Sequence, residues 1–189
     1  TLNNSKNSHK AQIITFQRSD PPCLSHLYDD SLKKSYLKQC FVIEEKIGSG
    51  SFGDVFRVKS LDDQRYYAVK VSREKFKGKV DRDEKLNEVC KHEQLPTHDH
   101  LVKLYCAWEE RQRLYIQTEL CSMSLSTLAE NNHEIPEKTV WAYLIDLLKA
   151  INHLHSYNLI HLDIKPENIF ITHDGLCKLG DFGLIFDIN

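Results

Sequence analysis

Four polar residues near the end of the sequence have types and spacing suited to one reaction. Asp163, Lys165 and Asn168 lie in HLDIKPENIF, and Asp181 follows thirteen residues after Asn168 in DFG. Transfer of a phosphoryl group to a hydroxyl needs a carboxylate that accepts the hydroxyl proton, and oxygen ligands that hold Mg²⁺ on the phosphates. We predict that Asp163 is the catalytic base and that Lys165 neutralises the γ-phosphate. Asn168 and Asp181 are the predicted metal ligands.

Two neighbours of this set are less specific. The carbonyl of Gly183 in DFG is a further candidate to lie near the metal, whereas His161 is better explained as a packed structural histidine than as an acid or base. Any one of these residues alone would be an ordinary polar residue of a loop. The prediction of phosphoryl transfer therefore rests on the whole set and its spacing.

A glycine-rich segment earlier in the chain could bind phosphates. GSGSFG at 48–53 fits the pattern G-x-G-x-x-G, and the following DVFRVKS alternates like a strand. A dinucleotide-binding glycine motif would open a helix instead, so that alternative is excluded. Glycines let the backbone approach phosphate oxygens closely, and Phe52 would cover them. Taken alone, the segment is equally well explained as a flexible hairpin turn.

A lysine on the next strand-like run is a candidate phosphate ligand. Period-two alternation in YYAVKV places Ala68 and Lys70 on one face of a strand. Ala68 is small enough for an adenine ring to lie against it, and Lys70 could reach the α- and β-phosphates. An exposed strand lysine is the alternative. A positioned lysine needs a carboxylate, and the next predicted helix offers Glu84, Glu88 and Glu93.

The elements that must position these residues belong to an α+β protein. Five short β-type runs lie between 41 and 120, and helices are predicted at 81–95, before Pro96, and at 136–156. The second helix repeats Val140, Leu144, Leu147, Leu148, Ile151 and Leu154 at steps of three and four. Two apolar runs joined by HDG predict a hairpin. Residues 1–40 show no sustained period and predict a mostly disordered leader.

Composition excludes several classes of protein. A net charge of −2 without a long basic run gives no indication of nucleic-acid binding, and no apolar run reaches the roughly 18 residues of a membrane span. Six dispersed cysteines without a CxxC pair predict reduced cytosolic thiols. The tripeptide at His98, Asp99 and His100 could suggest a metal site, but two solvated loop histidines are the more common explanation.

From 41 to 189 the sequence resembles the protein kinase superfamily, because GSGSFGDV, YAVK, HLDIKPEN and DFG occur in that order. The resemblance implies ATP and Mg²⁺ as cofactors and a bilobal fold. A five-stranded antiparallel N-lobe sheet with helix C would span 41–120, and the hinge, helix, catalytic loop and DFG of a mainly helical C-lobe would span 121–189. Lysine-to-helix-C spacing favours Glu88 as the partner of Lys70. The implied nucleotide-binding residues are Ile47, Gly48, Ser49, Gly50, Ser51, Phe52, Gly53, Asp54, Val55, Ala68, Lys70, Thr118, Glu119 and Cys121.

A narrower resemblance is to the Wee-type inhibitory kinases. CAWEERQRLYIQTELC and CKLGDFGL carry it, and Thr118 and Leu162 favour the membrane-associated tyrosine- and threonine-specific branch. The resemblance implies phosphorylation of Thr and Tyr in a cyclin-bound mitotic cyclin-dependent kinase, which delays mitosis. It also implies a location on the cytoplasmic face of the endoplasmic reticulum or Golgi membrane, with an anchor C-terminal to the kinase domain. Thr118 would be the gatekeeper behind the adenine.

Two other functions remain open. A pseudokinase scaffold would keep the fold without transferring phosphate, although Lys70, Asp163, Asn168 and Asp181 are all present. Another kinase with Ser/Thr substrates is the second alternative. The chain begins at Thr1 and its only methionine is Met123, so we expect a fragment of a longer protein. We expect this truncated chain by itself to fold poorly and to be inactive on protein substrates.

Overall fold

The computed structural model of the protein describes residues 9–16, 20–50, 53–132 and 134–188. The chain divides into two compact units. The first contains Thr1–Glu93 and Leu104–Leu120, and the second contains Gln94–Lys103 and Cys121–Asn189. The sequence suggested a division between 120 and 121. The structure differs in that the short segment Gln94–Lys103 belongs to the second unit.

The first unit is built on an antiparallel sheet of six strands in the order β1-β5-β6-β4-β3-β2. Five of these strands match the five predicted runs. The strand bounds are β1 Gln12–Ile13, β2 Phe41–Ser49, β3 Gly53–Ser60, β4 Tyr66–Ser72, β5 Leu104–Glu110 and β6 Arg113–Glu119. The additional strand, β1, pairs with β5 at one edge. The predicted α+β class with an antiparallel sheet is confirmed.

Alternation along the strands gives this sheet two apolar faces. Val58 and Val69 are fully buried on one face, in a cluster with Trp108. Ile116 lies on the other face, in a cluster with Leu86 of the helix at Lys79–Gln94. Because successive strand residues point to opposite faces, a sheet covered on both faces needs apolar residues at adjacent positions. Adjacent residues Ala68 and Val69 of β4 are both buried, one on each face of the sheet.

The leader differs from its prediction over the residues that the structure describes. Residues 36–40 form helix α1 (Tyr36–Cys40), in which Ser35 accepts a hydrogen bond from the backbone N–H of Lys38. Tyr36 and Cys40 are buried on the sheet, and the Tyr36 ring meets that of Trp108 edge to face at 5.1 Å. The apolar residues of the leader contact the sheet one at a time, at irregular intervals along the chain, so they show no regular period. A search for periodicity therefore misses them.

Helix α2 (Lys79–Gln94) covers the second face of the sheet. The sequence predicted a helix at 81–95, so its existence is confirmed and its start is two residues earlier. Leu86 and Val89 are its buried residues. Only these two residues enter the core, so the helix depends on packing more than on its own amphipathic pattern.

The second unit is mainly helical, with short β pairs. Its elements are β7 Met123–Ser124, α3 Leu125–Asn131, α4 Glu137–Ser156, β8 Leu159–Ile160, β9 Ile169–Ile171, β10 Cys177–Leu179 and β11 Phe186–Asp187. Strands β10, β9 and β7 form one antiparallel sheet, and β11 pairs with β8. The predicted hairpin across HDG is present as β9 and β10. Ala150 and Leu154 of α4 are fully buried in this unit's core.

Helix α4 buries only part of its predicted apolar stripe. Leu147 and Ile151 pack against the core, whereas Val140, Leu144 and Leu148 are 42–56% exposed. All six cysteines are free thiols. Among the residues that the structure describes, none of the helices combines the length and apolar content that a bilayer crossing requires.

Candidate active site

The glycine segment joins β2 and β3 as a hairpin turn. The Gly50 N–H donates to the Gly53 carbonyl at 2.9 Å, and Gly48 pairs with Val55 across the strands. A Cβ on Gly53 would lie 2.2 Å from the Val71 carbonyl oxygen, so only glycine allows β3 to pair with β4 there. Ser51 and Phe52 lie outside the described residues, and the covering role of Phe52 stays a prediction.

Asp54 in this segment is surrounded by positive charge. Its Oδ1 lies 2.9 Å from Lys46 Nζ and 2.9 Å from Arg73 Nη2, and it accepts a hydrogen bond from Ser49 Oγ. These hydrogen bonds, led by the one from Lys46, hold the pKa of the Asp54 carboxyl well below its usual range. The sequence assigned Asp54 and Ser49 to nucleotide contact, whereas here they tie the two hairpin strands to Arg73. No sequence signal marked Arg73, which lies nineteen residues from Asp54.

Lys70 forms an ion pair with helix α2. Its Nζ donates to Glu88 Oε1 at 2.9 Å, and the two side chains are 21% and 17% exposed. The other candidate glutamates have different surroundings. Glu84 is exposed, and Glu93 accepts hydrogen bonds from the Phe16 N–H at 2.7 Å and from a leader threonine hydroxyl. Of the three, the structure brings Glu88 to Lys70.

The sheet register aligns the other predicted nucleotide-binding residues of the first unit. Lys70 lies opposite Val55 on β3, and Ala68 lies opposite Thr118 on β6. Directly opposed residues share a sheet face, as do residues two apart along a strand. The small side chain of Ala68, the Lys70 ammonium and the Thr118 hydroxyl therefore start from one face. The remaining predicted contacts are the exposed Ile47, Glu119 at the end of β6, and the half-buried Cys121 of the second unit.

In the second unit, Asp163 is held by two neighbours in the chain. Lys165 Nζ donates to both carboxylate oxygens, at 3.1 and 2.8 Å. The Asn168 side chain is 5% exposed, and its Nδ2 donates to the Asp163 carbonyl at 2.9 Å and to Oδ2 at 2.8 Å. Because both amide hydrogens are committed to Asp163, the amide oxygen of Asn168 is the atom left to act as a ligand.

The pKa values of this group favour the charged forms. The hydrogen bond from Lys165 lowers the pKa of Asp163, and the same contact raises the pKa of Lys165. Asp163 is therefore a carboxylate at neutral pH and can accept a hydrogen bond from a hydroxyl. A hydroxyl that approached Asp163 would meet a negative acceptor beside a positive ammonium, which is the arrangement that base-assisted phosphoryl transfer needs.

The buried His161 ring contacts the backbone of the loop that carries Asp163. The ring is 2% exposed; its Nε2 lies 3.0 Å from the Gly180 carbonyl, and its Nδ1 accepts from the Asp163 N–H at 3.3 Å. Burial lowers the pKa of His161. The contacts fit the neutral tautomer, with hydrogen on Nε2, because a carbonyl needs a donor and an N–H needs an acceptor. His161 thus connects the loop to DFG, as expected of a packed histidine.

Two residues of the site have left-handed backbone angles. Leu162 has φ 60° and Asp181 has φ 58°, values that cost non-glycine residues of order 1 kcal/mol or more. Asp181 caps the short 3₁₀ turn Phe182–Leu184, and its Oδ1 accepts from the Gly183 N–H at 3.4 Å. Phe182 is 2% exposed and contacts His161 edge to face. The Phe182 ring therefore anchors this turn in the core of the second unit.

The prediction of two solvated histidines at 98–100 is wrong for His100, which is buried because its ring bonds to the backbone of the second unit. His100 is buried, and its Nδ1 lies 3.1 Å from the Cys177 carbonyl, while the ring of His98 stacks on that of His153 at 4.5 Å. Over the described ranges, no group of three or more His, Cys, Asp or Glu side chains is arranged to hold a metal ion.

Residues 41–189 match the protein kinase domain family. With the paired Lys70 and Glu88 and the Asp163 loop in place, the chain belongs to the protein kinase family.

Individual relatives fall in the predicted branch. The chain is 45% identical over 177 residues to a membrane-associated tyrosine- and threonine-specific cdc2-inhibitory kinase of Caenorhabditis elegans, covering 94% of this chain and 26% of the relative. The corresponding kinase of Drosophila melanogaster is 44% identical over 160 residues, with 84% and 30% covered. The mitosis inhibitor protein kinase wee1 of Schizosaccharomyces pombe is 38% identical over 143 residues, with 73% and 16% covered. The predicted resemblance to Wee-type kinases is confirmed, and the chain spans about a quarter of the length of the first relatives it matches.

Proposed function

We propose that this chain carries part of an ATP-dependent protein kinase that phosphorylates Thr and Tyr of a cyclin-bound mitotic cyclin-dependent kinase and thereby delays mitosis. The observation that carries the proposal is the clamped Asp163, whose carboxylate is held by Lys165 and Asn168. Support for the substrate comes from the relatives named as cdc2-inhibitory kinases with tyrosine and threonine specificity.

In this proposal each residue of the second unit has one task. Asp163 accepts a hydrogen bond from the substrate hydroxyl and takes up its proton as the hydroxyl oxygen bonds to the γ-phosphorus of ATP. The bond from that phosphorus to the bridging oxygen of the β-phosphate breaks in the same step, and ADP leaves. Lys165, which pairs with Asp163 at 2.8 Å, moves toward the γ-phosphate and balances its charge. The Asn168 amide oxygen and the Asp181 carboxylate would hold Mg²⁺, which when bound would neutralise charge on the phosphates.

The residues of the first unit bind and orient the nucleotide. Glu88 holds the Lys70 ammonium at 2.9 Å, so the lysine meets the α- and β-phosphates without first losing rotamer freedom. The backbone of the glycine turn donates hydrogen bonds to phosphate oxygens. Ala68 leaves room for a flat ring on the sheet face that Thr118 shares.

Replacing the proposed base separates an enzyme from a scaffold. Asp163→Asn in the longest natural form of the protein should lower kcat by about 10²-fold or more, because a positioned base contributes that much. Asp174→Asn, in the exposed hairpin turn, is the matched control and should keep full activity. A pseudokinase scaffold would show equal phosphate transfer, at background level, for both variants and for the parent protein.

The substrate is tested by mapping phosphorylation sites. The protein is incubated with ATP, Mg²⁺ and a cyclin-bound cyclin-dependent kinase, and the modified residues are identified by mass spectrometry. We expect phosphate on Thr and Tyr of that kinase's own glycine-rich loop. Phosphate confined to serine and threonine of other proteins would favour the alternative of a kinase with different substrates.

We further propose that the whole protein associates with the cytoplasmic face of the endoplasmic reticulum or Golgi membrane. The support is the phrase "membrane-associated" in the names of its relatives. Fractionation of cells that express the natural protein, with and without the sequence that follows this chain, tests the idea. Membrane recovery that does not depend on the following sequence would contradict a C-terminal anchor.

A further inference from the structure

A basic cavity lies on the first unit, and none of its lining residues belongs to the proposed catalytic or nucleotide-binding set. Its volume is about 510 Å³, within the range of roughly 300–1,000 Å³ typical of ligand sites. Four chain segments line it: the leader at His9, the leader around the start of α1, the loop between β4 and α2, and the β5–β6 hairpin. Its six cationic lining residues are Lys33, Lys34, Lys38, Lys75, Arg111 and Arg113.

Among the residues that the structure describes, few carboxylates lie near the cations of this basic cavity. Within 9–16, 20–50, 53–132 and 134–188, the lysine ammonium groups of the cavity have no carboxylate within 4.0 Å. The one carboxylate close to Arg111 is Glu110, at 4.0 Å, but Glu110 is 1% exposed and both its oxygens accept from the Tyr36 N–H. The whole chain has a net charge of −2, so this concentration of cations is local.

The backbone holds both arginines in place. Arg111 and Gln112 have φ 52° and 64° in the tight hairpin turn, and Arg111 Nη2 donates to the Lys33 carbonyl. Arg113 Nη1 donates to the Ser72 carbonyl at 2.7 Å. A guanidinium has five N–H donors, so each arginine retains donors for a ligand. Because the carbonyls already fix the side chains, ligand binding would cost little of their rotamer entropy.

A neutral donor completes the cavity. The Tyr115 side chain lines it, is 7% exposed and stacks on Trp108 with ring centroids 5.0 Å apart. Burial raises the pKa of the Tyr115 hydroxyl, so the group keeps its proton at neutral pH. Converging N–H and O–H donors with no acidic lining residue suit a multivalent oxyanion.

We propose that this basic cavity binds a phosphorylated segment of a protein, with the phosphoryl oxygens held by the arginine guanidinium groups and the surrounding lysine ammonium groups. A phosphoryl group has about −2 charge and three acceptor oxygens, which one carboxylate cannot match. The volume and the number of cations exceed the needs of a single phosphate ion, so acidic residues flanking the phosphoryl group would fill the rest.

A membrane surface fits the cavity less well. Head groups of an anionic bilayer meet residues that project outward, whereas the Tyr115 side chain that lines the cavity is almost fully buried, so a ligand that contacts it has to enter the cavity. Lys75 lies in the loop that leads to α2 (Lys79–Gln94). A ligand bound to Lys38 and Lys75 would therefore connect the leader to the segment that precedes the helix of Glu88.

Binding is measured by fluorescence anisotropy with the longest natural form of the protein. The probe is a labelled peptide with one phosphothreonine flanked by glutamates, and its unphosphorylated twin is the reference. We expect the phosphopeptide to bind at least about tenfold more tightly, since charged hydrogen bonds are the strong ones. Inorganic phosphate and added salt should weaken its binding.

Charge reversal locates the site. The double variant Lys38→Glu, Lys75→Glu should abolish the preference for the phosphopeptide, and the Gln versions should reduce it. The pair Lys59→Glu, Lys138→Glu changes the net charge equally, outside the cavity, and should keep the preference. All four lysines are at least partly exposed, so folding should persist, as circular dichroism would check.

Three results would overturn the proposal: equal binding of the two peptides, unchanged binding by the cavity variant, or an equal loss in the control pair.

A separate measurement with lipid vesicles tests whether the cavity binds a membrane instead. Vesicles of phosphatidylcholine with phosphatidylserine should bind no better than phosphatidylcholine alone. If the anionic vesicles bind through Lys38 and Lys75 and the phosphopeptide does not, the cavity is a membrane contact instead. None of these measurements uses kinase activity, so they do not depend on the proposed catalytic function.

Discussion

Asp163 in the second unit and Lys70 in the first both form ion pairs at about 2.8–2.9 Å, but the two pairs are built differently. Asp163 pairs with Lys165, which is two residues away in the sequence, in a loop whose backbone turn brings the two side chains together. Lys70 pairs with Glu88, which is eighteen residues away in the sequence, on a helix that packs against the sheet. The first pair depends on local chain geometry, and the second depends on the packing of a whole unit.

The leader also contributes to the packing on which the pair of Lys70 and Glu88 depends. Ile14 packs in the same cluster as Leu86 and Val89 of α2, and the Phe16 N–H donates to Glu93 near the helix end. Helix α2 has few buried residues of its own, so contacts from the leader help to fix where Glu88 lies. A substitution that weakens packing in the first unit should therefore disturb the ion pair of Lys70 with Glu88. The hydrogen bonds of Asp163 should be less affected, because they come from residues of its own loop.

The largest expected effect comes from removing a leader side chain. Tyr36→Ala deletes a ring that is 6% exposed and contacts Trp108 and Phe41. We expect the free energy of unfolding to fall by about 3 kcal/mol, as for other buried aromatic residues. Urea denaturation followed by circular dichroism measures the change. Leu32→Ala, at a 52% exposed position of the same segment, should change it by less than about 0.5 kcal/mol. A loss below about 1 kcal/mol for Tyr36→Ala would mean that the leader contributes little to the first unit.

A smaller effect is expected from the long-range ion pair. In the longest natural form of the protein, Glu88→Gln removes the negative charge that holds Lys70 and should lower kcat/KM for ATP about tenfold, close to the worth of a partly buried charged hydrogen bond. Glu84→Gln, on an exposed position one helical turn away, should leave it unchanged. Steady-state kinetics with ATP varied gives both numbers. Equal losses in the two variants would show that the helix charge, rather than the pair with Lys70, matters.

The smallest effect concerns pH and the local loop. Burial lowers the pKa of His161, so the folded protein favours the neutral ring. Its contribution to stability is fully present above the unfolded pKa of about 6.5 and is lost as pH falls through the lower folded pKa. Between pH 7 and 5, His161→Gln should flatten the fall in unfolding free energy by no more than about 1.4 kcal/mol per pH unit. His173→Gln, at an exposed turn, is the control and should keep the parent slope. An identical slope in all three proteins would show that the ring is not held neutral.

The local contacts of Asp163 could be predicted from the sequence, whereas the long-range contact of Lys70 could not be predicted from the residues alone. The neighbours Asp163, Lys165 and Asn168 were predictable as a set because a loop of six residues leaves them few ways to separate. Glu88 could be selected only through the resemblance to kinases, since Glu84 and Glu93 lie on the same helix. The division of roles among these three glutamates follows from packing, with Glu93 receiving the leader backbone.

The sequence by itself determined the α+β class, the hairpin at the glycine turn, the two long helices and the residues of the loop from His161 to Asp181. These features depend on local periodicity, turn residues and short separations. Only the tertiary structure decided that the leader covers a sheet face, that Asp54 is bound by Lys46 and Arg73, and that six cations surround one cavity. Each of these depends on residues that are far apart in the chain, and their apolar and charged side chains carry no period that marks the partner.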